Sequence, residues 1–212
     1  MAMGRPRAFD KDEALDRAMT VFWTKGYEGA SLSELTKAMG INAPSLYAAF
    51  GNKEGLLRAA LDRYGQLRAA FMTHALEAPT ARETAARILL GTADKLTDPD
   101  NPPGCLLVQA GLACGSGAES VPGELACRRA ADEDMLRQRF ARAKEEGDLP
   151  ASVDPAVLAA YLSTVLQGMG VQAAAGASRE DLRKIAALTI ESFPAGGPRA
   201  DAAAVGSAPP EA

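Results

Sequence analysis

Apolar side chains recur at helical spacing from the first residues of the chain. Leu15, Ala18, Met19, Phe22 and Trp23 follow the i, i+3, i+4, i+7, i+8 order of an amphipathic helix, with Asp10 placed to cap it and Gly26 to end it. Ser31-Leu32-Ser33-Glu34 reads as a capping box, in which hydroxyl and carboxylate satisfy each other's orphan backbone N–H groups, and it opens a short second helix to Met39. Gly40 stands where a left-handed residue turns the chain sharply. Asn42 caps a third helix, Ala43 to Phe50, with Pro44 in its first turn, where a missing N–H costs nothing. Asn52-Lys53-Glu54 opens a longer fourth helix through Leu56, Leu57, Ala60, Leu61 and Tyr64.

The same periodicity predicts five further helices near 82–97, 104–114, 122–147, 154–175 and 178–193, with loops at 97–104 and 115–117. The predicted fold is all-α with about nine helices: a three-helix head over 1–52, a larger helical body over 53–193, and a tail over 194–212. The tail is small and polar, a composition that cannot offset its own ordering entropy, so it is expected to be disordered. Aromatic residues make up 5% of the chain and β-branched runs are missing, which excludes an all-β reading.

Charge narrows the partners. The net charge of −4 rules out a uniformly basic coat for nucleic acid, yet residues 1–75 carry 10 Lys and Arg against 8 Asp and Glu, while the remainder carries 13 against 19. Only the N-terminal third is biased towards an anion. Cys105, Cys114 and Cys127 lie 9 and 13 residues apart with His74 far from them, so neither a metal site nor a disulfide framework is expected. No stretch reads as long and apolar enough to cross a bilayer and no apolar targeting segment follows the start, so a cytoplasmic protein with no membrane partner is expected. A single histidine, with no nucleophile elbow, phosphate loop or dinucleotide fingerprint, argues against an enzyme, and no catalytic residue or cofactor is expected.

Two short helices joined by a tight glycine turn fit a helix-turn-helix, whose first helix braces and whose second enters the major groove. Leu32, Leu35 and Met39, with Leu46, Ala49 and Phe50, form an inward apolar set able to meet Phe22 and Trp23. Ala43, Pro44, Ser45, Tyr47 and Ala48 are left outward, a narrow and mostly uncharged surface.

Phe22-Trp23-Thr-Lys-Gly26-Tyr27-Glu-Gly-Ala-Ser31-Leu, Met39-Gly40-Ile41, Leu46-Tyr47-Ala-Ala-Phe50 and Asn52-Lys53-Glu54-Gly-Leu56-Leu57 occur in that order, and the run from Phe9 to Leu57 resembles the TetR family of bacterial transcriptional regulators. The resemblance implies a homodimer that sets two heads in successive major grooves of a palindromic double-stranded DNA operator, and a body that binds a small-molecule effector and releases the DNA. It implies phosphate contacts at Tyr47 and Lys53, with Ser31 and Thr36 adding hydroxyls. Base contacts then fall to Asn42, Ala43, Pro44, Ser45 and Ala48, of which Asn42 and Ser45 hydrogen-bond base edges and the apolar ones suit thymine methyls. Arg5 and Arg7 form a basic arm for the minor groove or the phosphates, or else an inert extension.

In the body, the last two helices are apolar around more than one stripe, and a second apolar face needs a second surface to bury it. The resemblance also places dimerisation there, so Tyr161, Leu162, Val165, Leu166, Met169, Ile185, Leu188 and Thr189 are the expected interface. Cys105 follows Pro102-Pro103-Gly104 in the first turn of a helix, a setting that favours a thiolate, so a redox- or electrophile-sensing regulator is the alternative function. A buried structural thiol reads the same way. A helical adaptor that does not bind DNA is the remaining alternative. Leu67, Phe71, Leu89, Leu107, Gly111, Met135 and Met169 are candidate walls for an apolar or amphipathic effector, whose identity, like the operator sequence, the chain does not specify.

Overall fold

The computed structural model describes residues 10–112 and 120–194. Nine helices occur among them and no strand. Helix α1 (Lys11–Gly29) is capped by Asp10, whose carboxylate accepts from the amides of Asp12 and Glu13, and its helical geometry breaks at Gly26, where the sequence ends it. Helix α2 (Leu32–Met39) begins with the complete Ser31–Glu34 capping box. It ends at Gly40, which adopts φ +68° while the amides of Gly40 and Ile41 fold back on the carbonyls of Lys37 and Thr36, a left-handed stop that a side chain would strain. Helix α3 (Ala43–Phe50) starts where Asn42 accepts from the Ser45 amide at 2.9 Å. Helix α4 (Lys53–Leu76) then runs from the head into the body.

The remaining helices are α5 (Ala81–Leu96), α6 (Leu106–Leu112), α7 (Ser120–Glu145), α8 (Pro155–Ala174) and α9 (Arg179–Glu191). Two apolar cores hold them together. The first joins the head residues Phe22, Trp23, Leu35, Met39 and Leu46 to Leu56, Leu57, Leu61 and Tyr64 of α4, and to Leu106, Leu107, Val121 and Leu125. The second is built from α4, α5, α7, α8 and α9 around Ile88, Leu89, Phe140, Leu162 and Phe193. Cys105 packs against both.

Ion pairs pin the helices at defined points. Arg63 of α4 binds Asp16 of α1 through two hydrogen bonds of 2.9 and 3.1 Å, and Arg183 of α9 does the same with Asp94 of α5. Arg139, almost wholly buried, donates to the carbonyls of Leu76 and Ala78 and so closes the C-terminal end of α4, where a cation also suits the helix dipole.

Helix α8 departs from one expectation. With a mean hydropathy of 1.2 and no charged residue it is long and apolar enough to cross a bilayer by length and composition. Its inward side, Leu158, Ala159, Leu162, Met169 and Ala173, is packed in the second core.

The turn before α6 is a close approach of two backbones. Gly104 has φ +89°, its amide donates to the Leu96 carbonyl at 3.1 Å, and a Cβ there would lie 2.9 Å from the Gly170 carbonyl oxygen of α8. Replacing Gly104 by Ala is expected to destabilise the fold by about 1–3 kcal/mol, since neither the dihedral nor the gap admits a methyl group. An unchanged urea midpoint in the Gly104→Ala protein would contradict this close approach.

Candidate functional site

The outward face of α3 forms as the sequence predicts. Asn42, Ala43, Pro44, Tyr47 and Ala48 are exposed, Tyr47 by 48%, and Ser45 is half-buried. Leu46 faces inward and is completely buried, which fixes the roll of the helix. Asn42 has its carbonyl oxygen committed to the Ser45 amide, so its amide NH2 is what remains for a base edge.

Lys53 opens α4 beside this face. Its ammonium lies 4.3 Å from the centre of the Tyr27 ring, a cation–π contact that holds the half-buried chain in place. Burial lowers its pKa below the ordinary lysine value, and nearby Glu28 offsets part of that. A partly desolvated cation at a helix N-terminus is a good anion contact, because the backbone N–H groups there point the same way.

Two of the expected phosphate contacts are engaged elsewhere. The Ser31 hydroxyl donates to the Glu34 carboxylate at 2.9 Å and accepts from the Glu34 amide at 3.2 Å. Hydrogen bonds from Lys25 and then Ser31 hold Glu34 at a pKa of about 2, so a permanent anion stands beside Ser31. The Thr36 hydroxyl donates to the Leu32 and Ser33 carbonyls of its own helix. Both hydroxyl protons are spent within α2. Lys11 and Lys37, which sequence reasoning passed over, are exposed cations of the head; Lys11 reaches over the Phe50 ring at the end of α3, 5.3 Å from its centre. Arg5 and Arg7 lie outside the described residues.

A cavity of about 380 Å³ opens behind the head. Its apolar wall comes from Leu67, Phe71 and Met72 of α4, Ile88 and Leu96 of α5, and Leu107 and Val108 of α6, with Leu136 and Leu166 closing the body side. Met19 and Trp23 of α1 also reach it, so the first helix of the head touches the cavity directly. Of the expected walls, Leu67, Phe71 and Leu107 line it. Leu89 and Met169 are core residues, and Met135 and Gly111 are not among its lining residues.

One side of the cavity is polar. Tyr64 donates to the Cys105 sulfur at 3.6 Å, and Arg68 lies over the Tyr64 ring while reaching Asp132 at 3.4 Å. Burial first, and Cys105 second, push the Tyr64 phenol above its ordinary pKa, so it stays a hydrogen-bond donor. Burial opposes the Arg68 charge, but Tyr64, Asp132 and Cys105 outweigh it and raise the pKa. Cys105 sits one residue before α6, where its carbonyl accepts from Val108 and Gln109, rather than inside the first turn. Cys127 is exposed and Cys114 lies outside the described residues.

The expected dimer face needs correction. Leu162, Met169 and Thr189 are buried in the chain's own core, and Leu166 turns to the cavity, because each lies on the inward arc of its helix. Val165 is half-buried against the same core. Tyr161, Ile185 and Leu188 remain exposed, and they are joined by Val157 and Val171, which the sequence reading omitted. On α8 the open positions Val157, Tyr161, Thr164, Gly168 and Val171 fall three and four apart, a single stripe.

The helix-turn-helix head on a cavity-bearing helical body defines a class of transcription regulator. Residues 14–60 match the bacterial regulatory proteins of the tetR family, and residues 86–188 match the tetracyclin repressor-like C-terminal domain. The HTH-type transcriptional repressor ComR of Escherichia coli (strain K12) is 38% identical over 90% of this chain and 92% of its own length. A cysteine mutant of the TetR family transcriptional regulator CifR, solved in complex with 26-bp double-strand operator DNA, is 44% identical over 90% of this chain and all of its own, with a TM-score of 0.86. Reduced NemR of E. coli, at 22% identity over 88% of this chain and 97% of its own, shares the fold with a TM-score of 0.76. The chain belongs to the TetR family of bacterial transcriptional regulators.

Trp23 links the two regions: its indole N–H donates to the Gly104 carbonyl at 3.1 Å and its ring meets Tyr64 edge-on at 5.1 Å. Trp23→Phe keeps most of the ring packing and strands a buried carbonyl, so a loss of about 1–3 kcal/mol in urea unfolding followed by circular dichroism is expected. No change in midpoint would show that this carbonyl needs no partner.

Proposed function

We propose that the chain is a repressor that binds a palindromic DNA operator as a homodimer and is released when a small molecule enters the body cavity. The observation that carries the reading is the outward face of α3, small and uncharged, with Tyr47 and Lys53 at its edge. Helix α3 lies in the major groove; Asn42 and Ser45 offer polar groups to base edges, Ala43, Pro44 and Ala48 offer apolar contact, and Lys53 binds phosphate. The relative CifR, solved in complex with operator DNA, supports the DNA-binding part of this reading. The exposed stripe of Val157, Tyr161, Val171, Ile185 and Leu188 is the surface that two copies bury against each other. Arg5 and Arg7 add a basic arm. The protein acts in the cytoplasm, where its operator is, as a regulator without catalytic activity.

Release follows from how the cavity is built. Leu67, Arg68, Phe71 and Met72 belong to the helix that starts at Lys53, and Met19 and Trp23 belong to α1. A ligand that fits one arrangement of these walls better than another biases the angle of α4 and α1, and with it the separation of the two α3 helices. Successive major grooves lie ~34 Å apart, so a few ångströms of change removes both half-sites.

Binding of the purified protein to DNA from upstream of its own gene tests the reading. The logarithm of affinity is expected to fall linearly with that of salt, and Lys53→Gln is expected to reduce the slope by about 1. A salt-independent signal, or no binding to that fragment or to any sequence from a random pool, would favour the non-DNA-binding adaptor.

A second reading rests on Cys105, whose half-buried sulfur stands at the cavity wall beside the Tyr64 hydroxyl and at the junction of the two cores. Here modification of the thiol, in place of ligand binding, drives release. With Cys114 and Cys127 replaced by Ser, N-ethylmaleimide is then expected to abolish operator binding, and further change of Cys105 to Ser to abolish the response. Retained binding after complete alkylation would return Cys105 to a packing role.

A further inference from the structure

The charges around the cavity do not balance, and the imbalance says what an effector must carry. Arg68, Lys95 and Arg129 stand against Asp98 and Asp132. Asp132 is taken by Arg68 at 3.4 Å. Asp98 accepts from the Asn101 side chain and from the Asp100 amide, both at 3.1 Å, which fixes it in the loop after α5. Lys95 and Arg129 are left without a carboxylate partner within 4.0 Å among the described residues. The Lys95 ammonium rests on the Phe71 ring, 5.2 Å from its centre, and Arg129 spends one N–H on the Leu107 carbonyl at 3.2 Å. Each therefore keeps N–H donors and a whole positive charge for a guest.

We infer that the effector is an amphipathic anion, with an apolar body against Leu67, Phe71 and Leu107 and an acidic head paired with Lys95 or Arg129. The inference rests on the cavity being the effector site of the proposed regulator. Arg129 is half-buried and Lys95 stands exposed at the mouth, so an anion gains a charge-assisted hydrogen bond that is worth most at Arg129, where the surroundings are drier than water. A neutral guest gains only the burial of its apolar surface. A cationic guest meets two cations that have no carboxylate within 4.0 Å among the described residues, and a carboxylate, Asp98, already bonded twice. The volume of about 380 Å³ is at the small end of ligand sites, which suits a guest of up to three rings or a medium alkyl chain.

The test uses two dyes that share their rings and differ in one group. These are 8-anilinonaphthalene-1-sulfonate and N-phenyl-1-naphthylamine, the same skeleton without the sulfonate. Trp23, the chain's one tryptophan, lines the cavity, so a dye bound there must quench its emission, and the dependence of that quenching on the cavity residues Lys95 and Arg129 tells it from binding on the outer surface. In the full-length protein the sulfonate dye is expected to quench Trp23. Its affinity relative to the neutral dye is expected to fall roughly tenfold in the Lys95→Gln/Arg129→Gln protein, as the loss of a charged hydrogen bond predicts. Arg129→Lys, which restores the charge but not the fork, is expected to recover part of the preference, so that simple unfolding of the double variant is told apart from loss of a charge contact. A relative affinity that does not change, or sulfonate binding that leaves Trp23 emission untouched, overturns the inference. Operator binding by the unmodified protein without dye is measured in parallel: if it persists, only the effector class is wrong, and if it fails, the regulator reading fails with it.

Discussion

The hydrogen bond from Trp23 to the Gly104 carbonyl is the constraint on which the relation between head and body depends. It reaches across 81 residues of sequence and ties the first helix of the DNA-facing head to the turn that enters α6. That turn is itself wedged against α8, where glycine at 104 lets the two backbones approach and glycine at 170 leaves room for Cys105. Cys105, the next residue, packs into both apolar cores. A head joined to its body by a flexible linker could not be moved by anything bound in the body. Here three contiguous contacts, Trp23 to Gly104, Gly104 to Gly170 and Trp23 to Tyr64, give a displacement of the cavity wall a path to α1 as well as along α4.

The same packing explains why the polar groups of the body are arranged as they are. Tyr64 and Arg68 stand one turn apart on α4, so both project to one side, and Asp132 of α7 meets them there. A buried phenol and a half-buried guanidinium would each be costly alone, but together with Asp132 and Cys105 they satisfy one another. In the head the corresponding economy is local: Ser31, Glu34 and Lys25 close on themselves, which stabilises the start of α2 and also removes Ser31 from the set of groups free to bind phosphate. The cations that stay available, Lys53, Lys11 and Lys37, lie around α3 and α2 without forming a uniformly basic surface.

Much of the head is legible in the sequence. Asp10, Ser31 and Asn42 cap the helices they were expected to cap, and Gly26 and Gly40 interrupt the chain where expected, because capping and left-handed turns are decided by a few neighbouring residues. The order of motifs from Phe22 to Leu57 carried the family as well. The body was legible as helices but not as surfaces. Leu162, Met169 and Thr189 share with Tyr161 and Leu188 the composition of an interface, yet face the core, since an apolar helix with two apolar sides does not declare which one a neighbouring helix will cover.

The sequence by itself determined the helical pattern, the turn between α2 and α3, the uncharged character of the recognition face and the family, all of which rest on contacts within about a dozen residues. Tertiary structure alone decided that Trp23 and Met19 reach the cavity, that Tyr64 meets Cys105, and that Arg129 and Lys95 find no carboxylate within 4.0 Å among the described residues while Arg68 does. Those relations join residues from separate helices, and no spacing along the chain encodes them; they exist only once burial of the apolar faces has chosen how the helices pack.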